Sequence, residues 1–453
     1  MQNGHFSKEL LQKITATEPQ WMREKRLEAY AHYESLPMPH TTEDDVWRRT
    51  VDMRTQDYWR RTRRYLRGFA LEKYHPNGLT NGEPASESID YNGEEAADVL
   101  VQVDGQLQQA SDAEALKEKG VYFAHLHTAL QEQPELLRDY FMNKAVTLET
   151  TLKSGNIAQH NKFDALHGAF WQGGYLLHVP KGVSVEVPLR VHIKMSEANQ
   201  ADLSHTLIIA EEGSQVVILE DNSSTTSDAT GFHSGAVEIF TGQNANVTYV
   251  QVQRWNQSVW NFASHRAMVA RDAHLCWVTA TFGGRLNKIN QAVVLEGAGG
   301  NAKMLGLAFT DARQHLDIST AQEHVSPHTF SDLLYRTVLK DRAQTAWGGN
   351  IYVYPSANHT DAYQKNDNLL LSERAHADTL PGLEIQAHEV RCTHGATAGK
   401  IDAEQVFYLM SRGLPYTEAE KLIVDGFFEP VMERIPLESV REELSTSITR
   451  KLE

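Results

Sequence analysis

Glu211-Glu212-Gly213-Ser214-Gln215 leads into Val216-Val217-Ile218-Leu219, a polar turn feeding an apolar strand, and the unit recurs down the chain. Gly242-Gln243-Asn244-Ala245-Asn246 precedes Val247-Thr248-Tyr249-Val250, and Ala270-Arg271-Asp272-Ala273-His274 precedes Leu275-Cys276-Trp277-Val278. Gly299-Gly300-Asn301-Ala302-Lys303 precedes Met304-Leu305-Gly306-Leu307, while Lys340-Asp341-Arg342-Ala343-Gln344 and Ser372-Glu373-Arg374-Ala375-His376 keep the rhythm. The small residue returns after 31, 28, 29, 41 and 32 positions. A polar turn with a small residue at a fixed place, then an alternating strand, repeated roughly every 30 residues, is the pattern of a solenoid. Alternation sends one face of each strand inward and the other outward, which makes it a β-solenoid. A β-sandwich also alternates, but the fixed small residue favours coils that stack backbone to backbone.

Outward from this core, composition divides the chain into four regions. Residues 1–85 read as a helical domain: Glu18–Ser35 carries Trp21, Leu27, Tyr30 and Ala31 near helical spacing before Pro37 and Pro39 stop it. Trp47, Tyr58, Trp59 and Tyr65 continue the aromatic and charged character, and the Gly-, Pro- and Asn-rich stretch within Tyr74–Glu95 marks a boundary. Residues 86–180 form a mixed lead-in, with a strand at Ala97–Val103 and helical stretches at Leu107–Glu118 and Pro134–Leu148. The solenoid spans 181–395, and 396–453 return to helix. There Asp402-x-x-Gln405 and Thr417-x-x-Glu420 are helix-start signals, Gly413 and Pro436 are stops, and Val440, Leu444, Ile448 and Leu452 form an apolar stripe. Phe407, Tyr408, Phe427 and Phe428 suit either a core or a docking surface.

The 453 residues are 41% hydrophobic and 23% charged, enough for two or three domains with substantial cores. A formal charge of −16 argues against broad nucleic-acid or anionic-membrane binding, which takes clustered Lys and Arg. No run approaches the roughly eighteen apolar residues of a membrane span, and Met1–Lys13 lacks the apolar centre of a secretory leader. Cys276 and Cys392 are the only cysteines, which fits a reducing compartment and a cytoplasmic location.

Cys392-Thr393-His394 is the most chemically suggestive triplet. Residues two apart on a strand share a face, and thiol and imidazole are both suited to iron, zinc or copper(I). A nearby imidazolium would lower the thiol from its ordinary pKa of about 8.5. Glu384 and His388 lie upstream as accessory donors. The alternative is that the cysteine is simply a small buried hydrophobe. Ordinary iron–sulfur clusters take four thiolates, so a cluster here would need another subunit or non-cysteine ligands, and none is expected to be held stably by this chain alone. Weak, mixed ligation suits transient passage of a cluster or iron shared with a partner better than storage.

Other patterns fail. Gly395-Ala396-Thr397-Ala398-Gly399-Lys400 is one residue short of a phosphate loop, and Ile401 stands where Ser or Thr would hold magnesium. His388-Glu389 lacks the second histidine of a zinc-protease motif, since position 392 is cysteine. His125-Leu126-His127 and the His324, His328 pair have ligand spacing, but 21 histidines make chance placement the better reading. Cys276 lies on a solenoid strand and reads as core.

Lys162 to Leu189 (KFDALHGAFWQGGYLLHVPKGVSVEVPL), Gly348 to Leu371 with its HTDAYQKNDNLLL run, and Leu383 to Leu414 (LEIQAHEVRCTHGATAGKIDAEQVFYLMSRGL) together resemble the SufB/SufD family of the SUF iron–sulfur cluster assembly system. EPQWMREKRLEAYAHYESLPMP and DDVWRRT near the N-terminus are similar to its helical domain. The resemblance implies a right-handed parallel β-helix flanked by helices and a non-catalytic scaffold. Gly395 directly after His394 follows the SufD pattern, where SufB proteins have glutamate. Asn366, beside Lys365, matches the position of a functional SufB cysteine. The resemblance further implies that His394 with Cys392 helps form a nascent cluster at an interface with a SufB-type subunit. It places the SufC ATPase on Phe407, Tyr408, Arg412, Leu422, Phe427 and Phe428, and allows a homodimer in isolation. The rival readings are an inert structural adaptor of the same complex and a β-helix carbohydrate-active enzyme. The latter would need a row of acidic and basic residues on one face and secretion, neither of which is evident.

Overall fold

The computed structural model describes residues 5–36, 38, 63–66, 68–76, 96–110, 114–148, 162–227 and 229–452. Trp47, Tyr58, Trp59, the DDVWRRT stretch, Pro37, Pro39 and most of the boundary segment lie outside the described residues. The remainder is mainly β: a parallel β-solenoid of about eight turns, with helices before and after it.

Each coil contributes one strand to each of two facing sheets. One sheet runs, in spatial order, through His376–Ile385, Gln344–Val353, His315–His324, Leu286–Leu295, Val259–Val269, Gly231–Thr241, His205–Ala210, Gly174–Val179 and Tyr122–His125. The other runs through Arg391–Lys400, Asp361–Leu370, Phe330–Leu339, Asn301–Thr310, His274–Thr281, Asn246–Arg254, Gln215–Ser224, Leu189–Met195, Asp98–Val103 and Gln106–Ala110. Gln215 pairs with Asn246, Asn246 with His274 and His274 with Asn301, all in parallel register. The β-solenoid expectation therefore holds; strand Asp98–Val103 already joins the second sheet in parallel, and the last strand ends at Lys400.

The corner before each strand of the second sheet explains the repeat. Gly182, Gly213, Asn244, Asp272, Gly299, His328 and His359 all sit in the left-handed region, with φ between 52° and 74°. Their N–H groups donate, coil to coil, to the carbonyls of Glu212, Gln243, Arg271, Ala298, Pro327, Asn358 and Glu389 at 2.6–3.3 Å. Gly, Asn and Asp tolerate this conformation best and fill five of these seven positions, with His328 and His359 in the other two. The small residue noted in the sequence is the one that follows, buried at Ser214, Ala245 and Ala273. Register places Gly300, then Thr329 and Thr360, in this column instead of Ala302. Ala343 and Ala375 belong to the opposite corner and open strands of the other sheet. The 41-residue interval is that change of corner. Coil backbones do come close at such corners: a Cβ on Gly297 would lie 2.0 Å from Arg271 N.

Side chains on the inner faces, among them Val216, Ile218, Val247, Tyr249, Leu275, Trp277, Met304, Leu333 and Tyr335, form the lumen core. Much of both outer faces is also covered, so residues on both sides of the middle strands are buried. N-terminal residues Phe6, Tyr30, Phe69 and Phe163 pack on Phe232, Trp260, Phe262 and Leu286 of one sheet. Val424, Phe428, Val431, Val440, Leu444 and Ile448 pack on Val250, Val278, Leu305, Leu307 and Leu334 of the other.

Local expectations fare unevenly. Helix Gln20–Ser35 buries Met22, Arg26, Ala29, Tyr30 and Tyr33, and Leu27 is exposed. The face is set by Arg26, which meets both Glu18 carboxylate oxygens and the carbonyls of Ala169 and Trp171. Leu107–Glu118 is not one helix: Asp104-Gly105 turns the chain into an antiparallel strand, Gln106–Ala110, and only Glu114–Glu118 is helical. Asp402 caps helix Ala403–Ser411 through the Glu404 N–H, and Gly413 lies just past its end at φ 98°. The Thr417 capping box does not form; helix Tyr416–Met432 starts after Pro415, and Glu420 accepts from the Tyr416 hydroxyl. That helix ends before Pro436 and carries Pro430 inside it.

Helix Pro134–Tyr140 stops short of Leu148 because a buried carboxyl group takes the following amides. Glu238 Oε1 accepts from Met142 N at 2.6 Å and Oε2 from Val146 N at 3.0 Å. The same Oε1 lies 3.0 Å from His205 Nε2, His205 Nδ1 lies 3.0 Å from His167 Nε2, and His167 Nδ1 donates to the Ser234 carbonyl at 2.6 Å. With both imidazoles neutral, the chain closes only if Glu238 is protonated and donates to His205. Burial supports this, raising Glu238 to about 8 and lowering His205 to about 3. A carboxyl whose folded pKa is raised contributes stability below its unfolded value that is lost as pH rises through the folded one. Glu238→Gln leaves the Met142 N–H facing an amide donor and should cost about 1–3 kcal/mol at pH 5. That deficit should shrink steadily toward pH 8, as read by denaturant unfolding at each pH; a constant deficit would assign the proton elsewhere.

Candidate functional site

Among the described residues, nothing caps the last coil of the solenoid. The final strands of the two sheets, His376–Ile385 and Arg391–Lys400, each pair on one side only. Leu383 and Ile385 stand in register with Ile351 and Val353, which are 0% and 1% exposed one coil earlier. At the end they are 38% and 40% exposed, so the lumen core is cut open here.

Cys392 and His394 lie on this last coil. Cys392 is in register with Ala362 and packs, with Ala387 and Val390, on Ile351, Val353, Ala357 and Ala362. His394, two residues on and therefore on the same inner face, is exposed and in register with Gln364. Glu384 sits on the opposite face of its strand from Leu383 and Ile385, and accepts from Gln386 Nε2 at 3.1 Å. His388 lies in the turn, its backbone N–H donated to Asn358. Among the described residues no group of three His, Cys, Asp or Glu side chains is placed to hold a metal ion. Cys392 and His394 thus share a face, but Glu384 and His388 do not complete their donor set.

The thiol is not primed as the sequence suggested. Burial, then the Asp361 charge, pushes Cys392 up to about 11, and burial also lifts Cys276 to about 11. Cys276 is partly buried and packs on the core beneath the C-terminal helices. The histidine pairs are structural or separate. His125 bonds to Gln102, and His127 is packed on Trp171. His324 is held by the Thr329 and Ser331 hydroxyls, whereas His328 stacks on His359 at the corner.

The C-terminal helices split into an anchored and a displayed part. Phe428 is 1% exposed in the core, so it is an anchor and not a contact surface. Phe427 is half-buried beneath the Arg336 guanidinium, which also donates to its carbonyl. Glu443 on helix Glu438–Leu452 is held by Arg254, which also pairs with Asp221. Helix Ala403–Ser411 buries only Val406. Phe407 and Tyr408 are 73% and 56% exposed, with Met410, Leu414, Tyr416 and Leu422 continuing the patch; Arg412 lies 5.1 Å from the Tyr408 ring.

Sequence reading missed Leu383 and Ile385, and it missed a polar link between the two regions. Arg336 sits 3.5 Å from Asp367, Lys365 3.1 Å from the same carboxylate, and Thr397 Oγ1 donates to Asp367 at 2.6 Å from the last strand. The available signal was the end of the turn-and-strand repeat after His394 with no polar coil to close it.

Comparison with known proteins agrees with this architecture. Residues 192–427 match the family model described as SUF system FeS cluster assembly, SufBD core domain, and 95–191 match the SufBD protein N-terminal region. An iron–sulfur cluster assembly SufBD family protein of Staphylococcus epidermidis is 29% identical over 425 residues, 93% of this chain and 87% of the relative. A SufBD family protein of Staphylococcus aureus is 28% identical over 428 residues, again 93% and 87%. The iron–sulfur cluster assembly protein SufB of Bacillus subtilis is 28% identical over 437 residues, 96% and 90%.

A thiol at about 11 predicts slow alkylation. In a Cys276→Ser background, Cys392 should react with iodoacetamide at pH 8 at least roughly tenfold more slowly than a free thiol of ordinary pKa. Its rate should climb between pH 9 and 11; a plateau below pH 8 would mean that the thiolate is already formed.

Proposed function

The chain belongs to the SufBD family of the SUF iron–sulfur cluster assembly system, and from that premise we propose that it acts as a SufD-type, non-catalytic scaffold subunit. The observation that carries this reading is the open solenoid end, where exposed core side chains lie beside Cys392 and His394. Unpaired strand edges next to bare apolar surface are a template for another chain. A second family solenoid, of SufB type, has the matching chemistry. Iron and sulfide are cargo at that junction: His394 supplies an imidazole donor, and the thiolates that two cysteines cannot provide come from the partner.

Two positions support the D-type subtype. Gly395 follows His394, with only the Lys365 side chain near a would-be Cβ, at 3.8 Å. Asn366, at the position that matches the SufB cysteine, is buried and bonded to Asn368. For the ATPase, the displayed patch of Phe407, Tyr408, Arg412 and Leu422 is the SufC contact. The link from the Phe427 carbonyl through Arg336 and Asp367 to Thr397 gives helix movement a route to the last strand. Cluster assembly without membrane insertion agrees with the described helices, none of which is long and apolar enough to cross a bilayer. A reducing cytoplasm is the compartment that suits two free thiols.

Co-expression with SufB-type and SufC-type subunits, followed by affinity capture of this chain, tests the reading. Both partners should co-purify. Leu383→Asp should release the SufB-type subunit, and Phe407→Ala with Tyr408→Ala should weaken SufC retention by more than about 1 kcal/mol per residue. His394→Ala should leave the complex intact and lower anaerobic cluster yield by roughly tenfold or more. No capture of either partner would overturn the assignment, and unchanged yield with His394→Ala would reduce the chain to a structural adaptor.

A further inference from the structure

Gln364 is fully buried on the inner face of strand Asp361–Leu370, directly in register beneath His394. Its side chain crosses the lumen. Nε2 donates to the carbonyls of Gly349 at 3.3 Å and Gly382 at 3.0 Å, on neighbouring strands of the opposite sheet. Those two contacts fix the amide orientation, since a flip would set its oxygen against two carbonyl oxygens. Gly349 makes the crossing possible: a Cβ there would lie 2.6 Å from Oε1 and 2.1 Å from the Trp347 ring. Pro381, in register with Gly349, brings no N–H into this space.

Oε1 is the consequence. It is buried and, among the described residues, has no hydrogen-bond partner. The Trp347 indole N–H close by is also buried without a partner, so it does not satisfy Oε1. An unpaired buried acceptor costs about 1–3 kcal/mol, and such an atom beside a functional group calls for an explanation. Two donors on the last coil share the inner face with it: the Thr379 hydroxyl, itself buried without a partner and in register with Trp347, and the exposed His394 imidazole, in register with Gln364. In-register side chains on one face of a sheet stand about 4.8 Å apart, which favours His394.

We propose that Gln364 is the positioning residue for His394: Oε1 accepts one ring N–H, fixes the tautomer, and leaves the other nitrogen's lone pair facing the open end. This rests on the reading of His394 as an iron donor, and it follows the general arrangement in which a ligating imidazole donates its second N–H to a fixed oxygen. The occupied space then contains a satisfied acceptor, and the imidazole meets iron in one orientation.

Two measurements test it. Ferrous iron binding to the full chain with its SufB-type partner would be compared for the unmutated protein, Gln364→Met, His394→Ala and the double variant. Gln364→Met should weaken binding roughly 10- to 100-fold, and should add nothing once His394 is alanine. No effect of His394→Ala would overturn the parent reading. A clear effect of His394→Ala with none from Gln364→Met would overturn this one. Because Gln364 also bridges the sheets, the second measurement needs no variant at Gln364: long-range proton–nitrogen spectra of 15N-histidine-labelled chain, with His394 assigned by its loss in His394→Ala. One dominant His394 tautomer is expected, and equal tautomer populations would overturn the proposal.

Discussion

A left-handed residue at one corner of each coil before the last, donating its N–H to the next coil, is the constraint on which the rest of this structure depends. It fixes the length of a coil, because the chain must return to the same corner with the same backbone twist before another strand can begin. It also fixes register, since the residue after it is buried at the corner and the next begins the strand. Once the corners are stacked, the inner-face residues of both sheets meet in the lumen whatever their identity. That is why Trp277, Met304 and Gly306 can occupy neighbouring positions of one core.

Stacking by corners has a price at the ends. At the beginning, the N-terminal helices, strand Asp98–Val103 and the Glu238 network cover the first coils. At the other end nothing equivalent follows among the described residues, and Leu383 and Ile385 are exposed on the last coil that also carries Cys392 and His394. The proposed pairing with a second family solenoid would use that asymmetry, since an unpaired coil end can accept another chain. The C-terminal chain passes this opening by and folds back on the outer face of a sheet, held by Phe428, Val431, Leu444 and the Arg254–Glu443 pair. Its first helix and the start of its second are left uncovered.

Much of the fold was legible in sequence, and for a physical reason. A solenoid repeats its local instructions, so the turn and strand pattern from Gly213 to His376 states the architecture several times over. Irregular parts are written once. The Leu107–Glu118 stretch looked helical by composition, but an Asp-Gly turn and a neighbouring strand took its backbone instead. Helix Pro134–Tyr140 is cut short by Glu238, almost a hundred residues away, which no local pattern reveals. At the candidate site, that Cys392 and His394 share a face was legible because their spacing is local to one strand. The elevated thiol pKa was not, since it comes from burial against Ile351 and Ala362 and from the Asp361 charge on the adjacent coil. Phe428 was misjudged for the same reason: an aromatic stripe looks alike whether it faces a partner or the chain's own sheet.

The uncapped end also sets how the molecule loses order. In a stack where each coil touches only its neighbours, stability behaves like a one-dimensional chain of coupled units. The coil bearing His394 has a single neighbour, so it frays at a fraction of the free energy needed to melt the middle. Such a terminal unit can exchange between paired and unpaired states while the interior stays folded. Under the proposed pairing, a second solenoid docked there would add the missing neighbour and extend the cooperative array, so that order at His394 would depend on the length of the combined stack.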